Sequence, residues 1–316
     1  RDTPAILFSG RPDRYGSMDG RMPFLRAHPS PSDPARTPGP FDRPALRTAW
    51  TRVRANGGAC GADKVRLEVF ERRLRANLDR LAAELECGGY RPGDLRRVTI
   101  ARPDGGAREL AIPDVRDRVV QTAVATHLCG RLDPRFAEGS FGYRPCRSVD
   151  DAVAALRRWQ GQGRLWTFDA DIRDFFGEVR HDVLLADLAA RIGRDPRLMQ
   201  VIPVWLAGFG RKGRGLAQGS PISPILANLY LDPLDRAFGQ RGAPIVRYAD
   251  DFVVPAVSRG EARAARGIAV AALARRGLRL NPAKTTIRAP GEAFIFLGRI
   301  VRAPAVPPPA RPRPCP

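Results

Sequence analysis

This sequence predicts an α+β fold in which an antiparallel sheet is backed by helices, and three observations carry that reading. The run Ile245, Val246, Arg247, Tyr248, Ala249, Asp250, Asp251, Phe252, Val253, Val254 sets apolar, β-branched residues on both sides of an Ala-Asp-Asp tip, the pattern of a tight β-hairpin. The run Leu165, Trp166, Thr167, Phe168, Asp169, Ala170, Asp171, Ile172 has the β-branched and aromatic content of a strand. Between such runs lie helical patterns. Leu67, Phe70, Leu74, Leu78, Leu81 and Leu85 recur at three- and four-residue spacing and predict one amphipathic helix, stopped by Gly88 and Gly89.

Bulk composition narrows the function. A chain of 316 residues can bury one large core or two lobes sharing a cleft. An apolar share of 43% belongs to a folded protein and not a disordered one. Fifty-three basic against 33 acidic residues leave a net charge of +20 and a pI of about 11.2. Such an excess points to a polyanionic partner, most economically nucleic acid. Only Lys64, Lys212 and Lys284 are lysines, so nearly all the charge is arginine. That bias suits bidentate phosphate contacts, and a GC-rich genome would also produce it. Cys60, Cys87, Cys129, Cys146 and Cys315 are scattered with no C-x-x-C pair. They read as thiols of a reducing, cytoplasmic compartment and argue against a zinc site. No apolar run approaches the ~18–20 residues that cross a bilayer, so no membrane partner is expected.

Along the chain, residues 1–43 are rich in Pro, Gly, Arg and Ser and read as a disordered leader; 303–316 read as a Pro-rich disordered tail. A short helix is expected over 45–53. The runs 96–102 and 107–113 flank Pro103, Asp104, Gly105 and Gly106, which signals a hairpin. Arg102 and Arg108 bracket its turn, either reaching anionic phosphates or standing as solvated charges on a ribbon. Further helices are expected over 114–132, 148–160, 182–191, 196–209, 222–238 and 261–276, the second of these capped by Ser148. A strand is expected over 278–280 and a last hairpin over 294–301. The segment 140–148 combines aromatic and basic residues, among them Tyr143, Arg144 and Arg147, that suit a nucleic-acid backbone. The Gly-rich segment 211–221, with Gln218, Gly219 and Ser220, lets backbone approach phosphates or base pairs ahead of a helix N-terminus. It lacks the Gly-Lys-Ser/Thr ending of a P-loop.

The acids carry the chemistry. Adjacent carboxylates at a hairpin tip repel each other and gain nothing from burial unless a cation neutralises them. An isolated Asp-Asp is most often a solvated turn, but here the flanking strands are too apolar for a surface ribbon. Asp169 and Asp171, two apart on the other strand, point to one face. Hard divalent ions such as Mg²⁺ take oxygen ligands from one or two carboxylates and fill their shell with water and substrate phosphates.

In order, the chain carries the 96–113 hairpin, Ser-Phe-Gly-Tyr-Arg-Pro at 140–145 and Asp-x-Asp-Ile-x-x-Phe-Phe at 169–176. Gln-Gly-Ser-Pro-Ile-Ser-Pro-x-Leu-Ala-Asn follows at 218–228, then Tyr-Ala-Asp-Asp at 248–251, Leu-Asn-Pro-x-Lys-Thr at 280–285 and Phe-Leu-Gly at 296–298. In these blocks it resembles bacterial reverse transcriptases of the group II intron and group II-like class, CRISPR-associated ones included, over residues 45–302. The resemblance implies a right-hand polymerase, with fingers over 44–160 and a palm over 161–302 that holds a helical insertion at 182–215. It implies an RNA-directed DNA polymerase that extends a DNA primer with dNTPs on an RNA template using two Mg²⁺ ions, with Mn²⁺ a substitute. Asp171 and Asp250 would hold both ions, Asp251 would support them, and the carbonyl of Ile172 would complete the shell. Phe176 would exclude a 2′-hydroxyl, Arg102 and Arg108 would clamp the triphosphate, and Gln218 would contact the nucleotide or template base. Lys284 would protonate the departing pyrophosphate, and Asp169 would stand behind the metal ligands.

Some positions depart from the family pattern: Gly177 where Asp is common, Ala217 where Pro precedes Gln-Gly, and Cys146 for Gly. None removes a metal ligand. After Val301 the family continues into a helical thumb, which 14 Pro-rich residues cannot form, so a thumb-less fragment or a thumb-supplying, intron or CRISPR partner is expected. An RNA-binding, maturase-like module without synthesis is the alternative, and an RNA-templated RNA polymerase fits Tyr-Ala-Asp-Asp and Phe176 poorly.

Overall fold

The computed structural model describes residues 39–101 and 107–305. The chain begins with helices α1 (Arg43–Asn56), α2 (Leu67–Glu71) and α3 (Leu74–Glu86), followed by the hairpin of β1 (Arg96–Ala101) and β2 (Ala107–Ile112). Helices α4 (Val115–Leu132) and α5 (Val149–Gly161) lead to strand β3 (Trp166–Asp171) and helices α6 (Phe175–Glu178), α7 (His181–Ile192), α8 (Pro196–Phe209) and α9 (Ser223–Gly239). Then come β4 (Val246–Tyr248), β5 (Asp251–Ala256), α10 (Arg259–Ala274), β6 (Thr286–Arg288), β7 (Ala293–Phe296) and β8 (Arg299–Arg302). Helix and sheet are thus mixed.

The central sheet has the order β4-β5-β3-β6, with every neighbouring pair antiparallel. Alternation decides what each face meets. Phe168, Ala170, Phe252, Val254 and Ala256 join the larger core with residues of α9 and α10. Val246, Tyr248 and Val253 join a second core with Leu156 of α5 and Phe294, Phe296 and Val301 of the β7–β8 hairpin. β4 and β5 are buried along their whole length because both faces are covered. Phe168 and Phe252 pack edge to face across β3 and β5 at 6.0 Å, a geometry contributing about 0.5–1.5 kcal/mol beyond area.

Buried polar links join α4 and α8 to the segment that leads into β1, and β2 to the loop before α9. Asp117 of α4 accepts from the Tyr90 hydroxyl at 2.7 Å and from the Gly93 N–H at 2.8 Å, while Trp205 of α8 donates to Tyr90 at 3.1 Å. The N–H of Ala111 donates to the Gln218 carbonyl at 2.7 Å, fastening β2 to the loop before α9. Ser148 and Asp151 form a reciprocal capping box on α5.

Several expectations change. The single helix over 67–85 is two, because Arg73 leaves helical backbone at φ −122° and ψ 34°; the Asn77 amide then donates to the freed Phe70 carbonyl at 2.8 Å. The strand over 278–280 reduces to one bridge from Leu280 to Ile172, and the fourth sheet strand is instead β6, paired with β3. Ordered chain starts ahead of residue 44, with Phe41 buried, and Ala303 is buried with its carbonyl accepting from Gly291 at 3.1 Å. The remainder of the leader and tail lies outside the described residues, as does Arg102.

Candidate active site

The acids meet where β3 ends and the β4–β5 hairpin turns. Asp171 is the register partner of Asp251, and Asp169 that of Val253, so all four share one sheet face. Tyr248 pairs with Asp251, which leaves Ala249 and Asp250 as a two-residue tip. Ala249 adopts φ 57°, the left-handed value that hairpin turns favour at their first tip position and that alanine rarely takes. The N–H of Ile172 donates to the Asp250 carbonyl at 3.3 Å, binding the end of β3 directly to the tip.

Electrostatics follow from that convergence. Burial, and then the charge of Asp171, push the Asp250 carboxyl up to about 6, with Arg108 and Lys284 opposing. Lys284 Nζ stands 3.5 Å from Asp171 Oδ2, and the Asn281 amide donates to Oδ1 at 3.4 Å. The Asn281 N–H also donates to the Asp171 carbonyl at 2.8 Å. Asp169 is paired with Arg288 at 3.3 Å. Tyr143 lies 6.3 Å from Tyr248, ring to ring, and burial with the nearby Asp250 pushes its phenol up to about 12. Arg108, on β2, acts on both Asp250 and Tyr143, and its Nε is buried with no hydrogen-bond partner among the described residues.

Around this centre lie the other expected residues. Phe176 follows β3 directly; its ring meets Phe175 edge to face at 5.5 Å and its carbonyl accepts from Leu216 at 2.7 Å. Gln218 is partly buried, and Gly219 is exposed at φ 105°, where a Cβ would stand 3.2 Å from the Ala111 carbonyl. Two residues expected to touch nucleic acid are buried and bonded within the fold. Arg144 is 5% exposed, its guanidinium engaged by the Asp133 carboxylate and carbonyl and by the carbonyls of Ala137 and Ser140. Ser220 is buried, its hydroxyl donating to Gln121 at 2.7 Å. Arg147 is partly buried, stacks over Phe141 at 5.2 Å and donates to the carbonyls of Ser140 and Glu138.

Sequence reasoning overlooked Asn281, visible only as the Asn of Leu-Asn-Pro, and Arg247, whose sole signal was a charge within an apolar strand. Among the described residues no three His, Cys, Asp or Glu side chains form a metal-holding cluster. The carboxylates brought together here are those of Asp171 and Asp250, with Asp251 as the register partner of Asp171. Two repelling carboxylates, one of them held at about 6 despite two cations, fit a hard divalent ion that draws its other ligands from water and phosphate.

A family model described as Reverse transcriptase (RNA-dependent DNA polymerase) matches residues 100–301. The chain belongs to this family. Among similar proteins, protein YkfC of Escherichia coli K12 is 29% identical over 293 residues, covering 77% of this chain and 76% of its own. The group II intron-encoded protein LtrA of Lactococcus lactis is 31% identical over 186 residues, 56% of this chain, which spans 31% of LtrA. The structure of telomerase from Candida albicans with a fragment of telomeric RNA covers 69% of this chain and 46% of that one, at TM-score 0.54 and 12% identity; this is a likeness of fold. Group II intron-encoded proteins are thus among the relatives of this chain, as its sequence blocks implied. Among its described residues no helix is long and apolar enough to cross a membrane.

Proposed function

We propose that this reverse transcriptase extends a DNA primer with deoxynucleotides on an RNA template. The observation that carries the reading is the joining of Asp171 and Asp250, 79 positions apart in the chain, through the Ile172–Asp250 hydrogen bond and their mutual charge. Asp171 and Asp250 would hold two Mg²⁺ ions, with the Ile172 carbonyl and Asp251 in support. Such a pair of ions, when bound, activates a primer 3′-hydroxyl and offsets charge on the departing pyrophosphate in an in-line displacement.

The chain's own groups do the rest. The Arg108 guanidinium orients the triphosphate against the acids, its buried Nε having a donor to give. Lys284 holds a proton at Nζ beside Asp171, within reach of a leaving phosphate. Phe176 bounds the sugar, and Gln218 with the backbone of Gly219 meets the base pair. Tyr143, which feels the charge of Asp250, would flank the acids. Fingers, palm, dNTP contacts and an intron or CRISPR partner belong to the same reading.

The net charge of +20 favours a second reading, RNA binding without synthesis. Primer extension on poly(rA)/oligo(dT) with dTTP and Mg²⁺ separates the two. The polymerase reading expects extension by the wild type and none by Asp250→Ala. Tight RNA binding with no extension by the wild type would leave only the second.

A further inference from the structure

We propose that Arg247 is a positioning residue of this centre: its buried guanidinium fixes the peptide that precedes Asp250 and thereby sets the direction of that carboxylate. The geometry stands by itself; the kinetic consequence rests on the polymerase reading above.

Arg247 is 0% exposed and points from β4 toward α9. Nε and Nη2 donate to the two Asp235 oxygens at 2.8 and 2.6 Å, and Nη2 also donates to Ser140 Oγ at 2.8 Å. Nη1 donates to Asn228 Oδ1 at 3.2 Å and to the Ala249 carbonyl at 2.9 Å. All five N–H donors are therefore engaged. Asp235 alone neutralises the charge, so the other three donors serve orientation.

What they orient is the tip. Ala249 is in the left-handed region, which its side chain disfavours, and its carbonyl is held by Arg247. On the other side of Asp250, its own carbonyl is held by Ile172. With both flanking peptides fixed, the backbone torsions of Asp250 are fixed, and so is the direction of its side chain toward Asp171.

The same guanidinium also acts on the loop that brings Tyr143 near the acid. With its oxygen on Arg247, the Asn228 amide turns its nitrogen to the Gly142 carbonyl at 2.7 Å. Gly142 packs so closely that a Cβ there would stand 2.4 Å from the Ala249 nitrogen. Tyr143, beside Asp250, follows. A lysine has three donors at a single point and cannot reproduce this fork. A buried ion pair is often replaceable by apolar residues with little loss of stability, so fold and positioning can be separated.

The test compares the wild type with Arg247→Met/Asp235→Leu, Arg247→Lys and Ser140→Ala. Thermal melting reports the fold, and titration of the metal-free protein with Mn²⁺ followed by electron paramagnetic resonance reports the centre. Arg247→Met/Asp235→Leu keeps the core filled but deletes the guanidinium. It should remain folded, with a cooperative melt, while binding Mn²⁺ about tenfold or more weaker, the size seen when groups that orient metal ligands are lost. Arg247→Lys should behave likewise and lower kcat for primer extension with KM for dNTP unchanged. Adding Ala249→Gly to it should recover part of the affinity, because glycine accepts the left-handed torsion without strain. Ser140→Ala, which leaves the Ala249 contact intact, should melt lower yet bind Mn²⁺ normally. A folded Arg247→Met/Asp235→Leu protein with wild-type Mn²⁺ affinity would overturn the proposal, as would a wild type that binds no Mn²⁺. Wild-type Mn²⁺ binding without primer extension would instead defeat the polymerase reading and leave the positioning role standing on the affinities.

Discussion

Ile172 donates its backbone N–H to the carbonyl of Asp250 at 3.3 Å. That bond ties the last residues of β3 to the tip of the β4–β5 hairpin, and the carboxylates of Asp171 and Asp250 are held near each other in a partly buried place. Folding therefore brings together charges that repel, a cost accepted only where something else answers it.

The cost has a measurable pH dependence. The Asp250 carboxyl, at about 6 in the fold against 3.8 ordinarily, binds its proton more tightly folded than unfolded. Its contribution to stability is thus fully present below pH 3.8 and is lost as pH rises through about 6. At pH 7 the ionised group costs up to about 3 kcal/mol in metal-free protein. Asp250→Asn should then raise the melting temperature by a few degrees at pH 7 and hardly at all at pH 4. An equal shift at both pH values would place the cause elsewhere.

Lys284 offers a sharper kinetic separation. Lys284→Arg keeps a cation beside Asp171 but cannot surrender a proton at neutral pH. Single-turnover nucleotide addition should slow by about 100-fold, in the range of lost general acids, with KM for dNTP nearly unchanged. A rate close to wild type would make Lys284 a charge partner of Asp171 and nothing more.

Phe176 has both a packing contact with Phe175 and a place just after the acids. Phe176→Ala should raise the ratio of ribonucleotide to deoxynucleotide incorporation by tenfold or more, about the weight of one steric contact in a pocket. Unchanged sugar preference with a lowered melting temperature would reduce the ring to core filling.

The legible parts of the molecule were those whose pattern is local. The hairpin tip at Ala249 and Asp250, the alternation of Asp169 and Asp171, and the Ser148 cap all show in neighbouring residues. The break at Arg73 did not, since Leu74 continues the leucine spacing across it. β6 is three residues long and gains its strand character only from pairing with β3. Arg144 in Tyr-Arg-Pro read as a ligand-facing cation, yet its partners Asp133 and Ala137 arrive by a fold-back that spacing does not encode. Arg247 was obscured in the same way: its partners Ser140, Asn228 and Asp235 come from a distant loop and from α9.

The most direct test of the shared centre is the rate of single-turnover primer extension in Asp171→Ala, Asp250→Ala and the double variant. Residues acting on one pair of ions should be non-additive, each single change losing nearly as much as both together. Losses that multiply, or a single variant that retains the wild-type rate, would contradict a common site for Asp171 and Asp250.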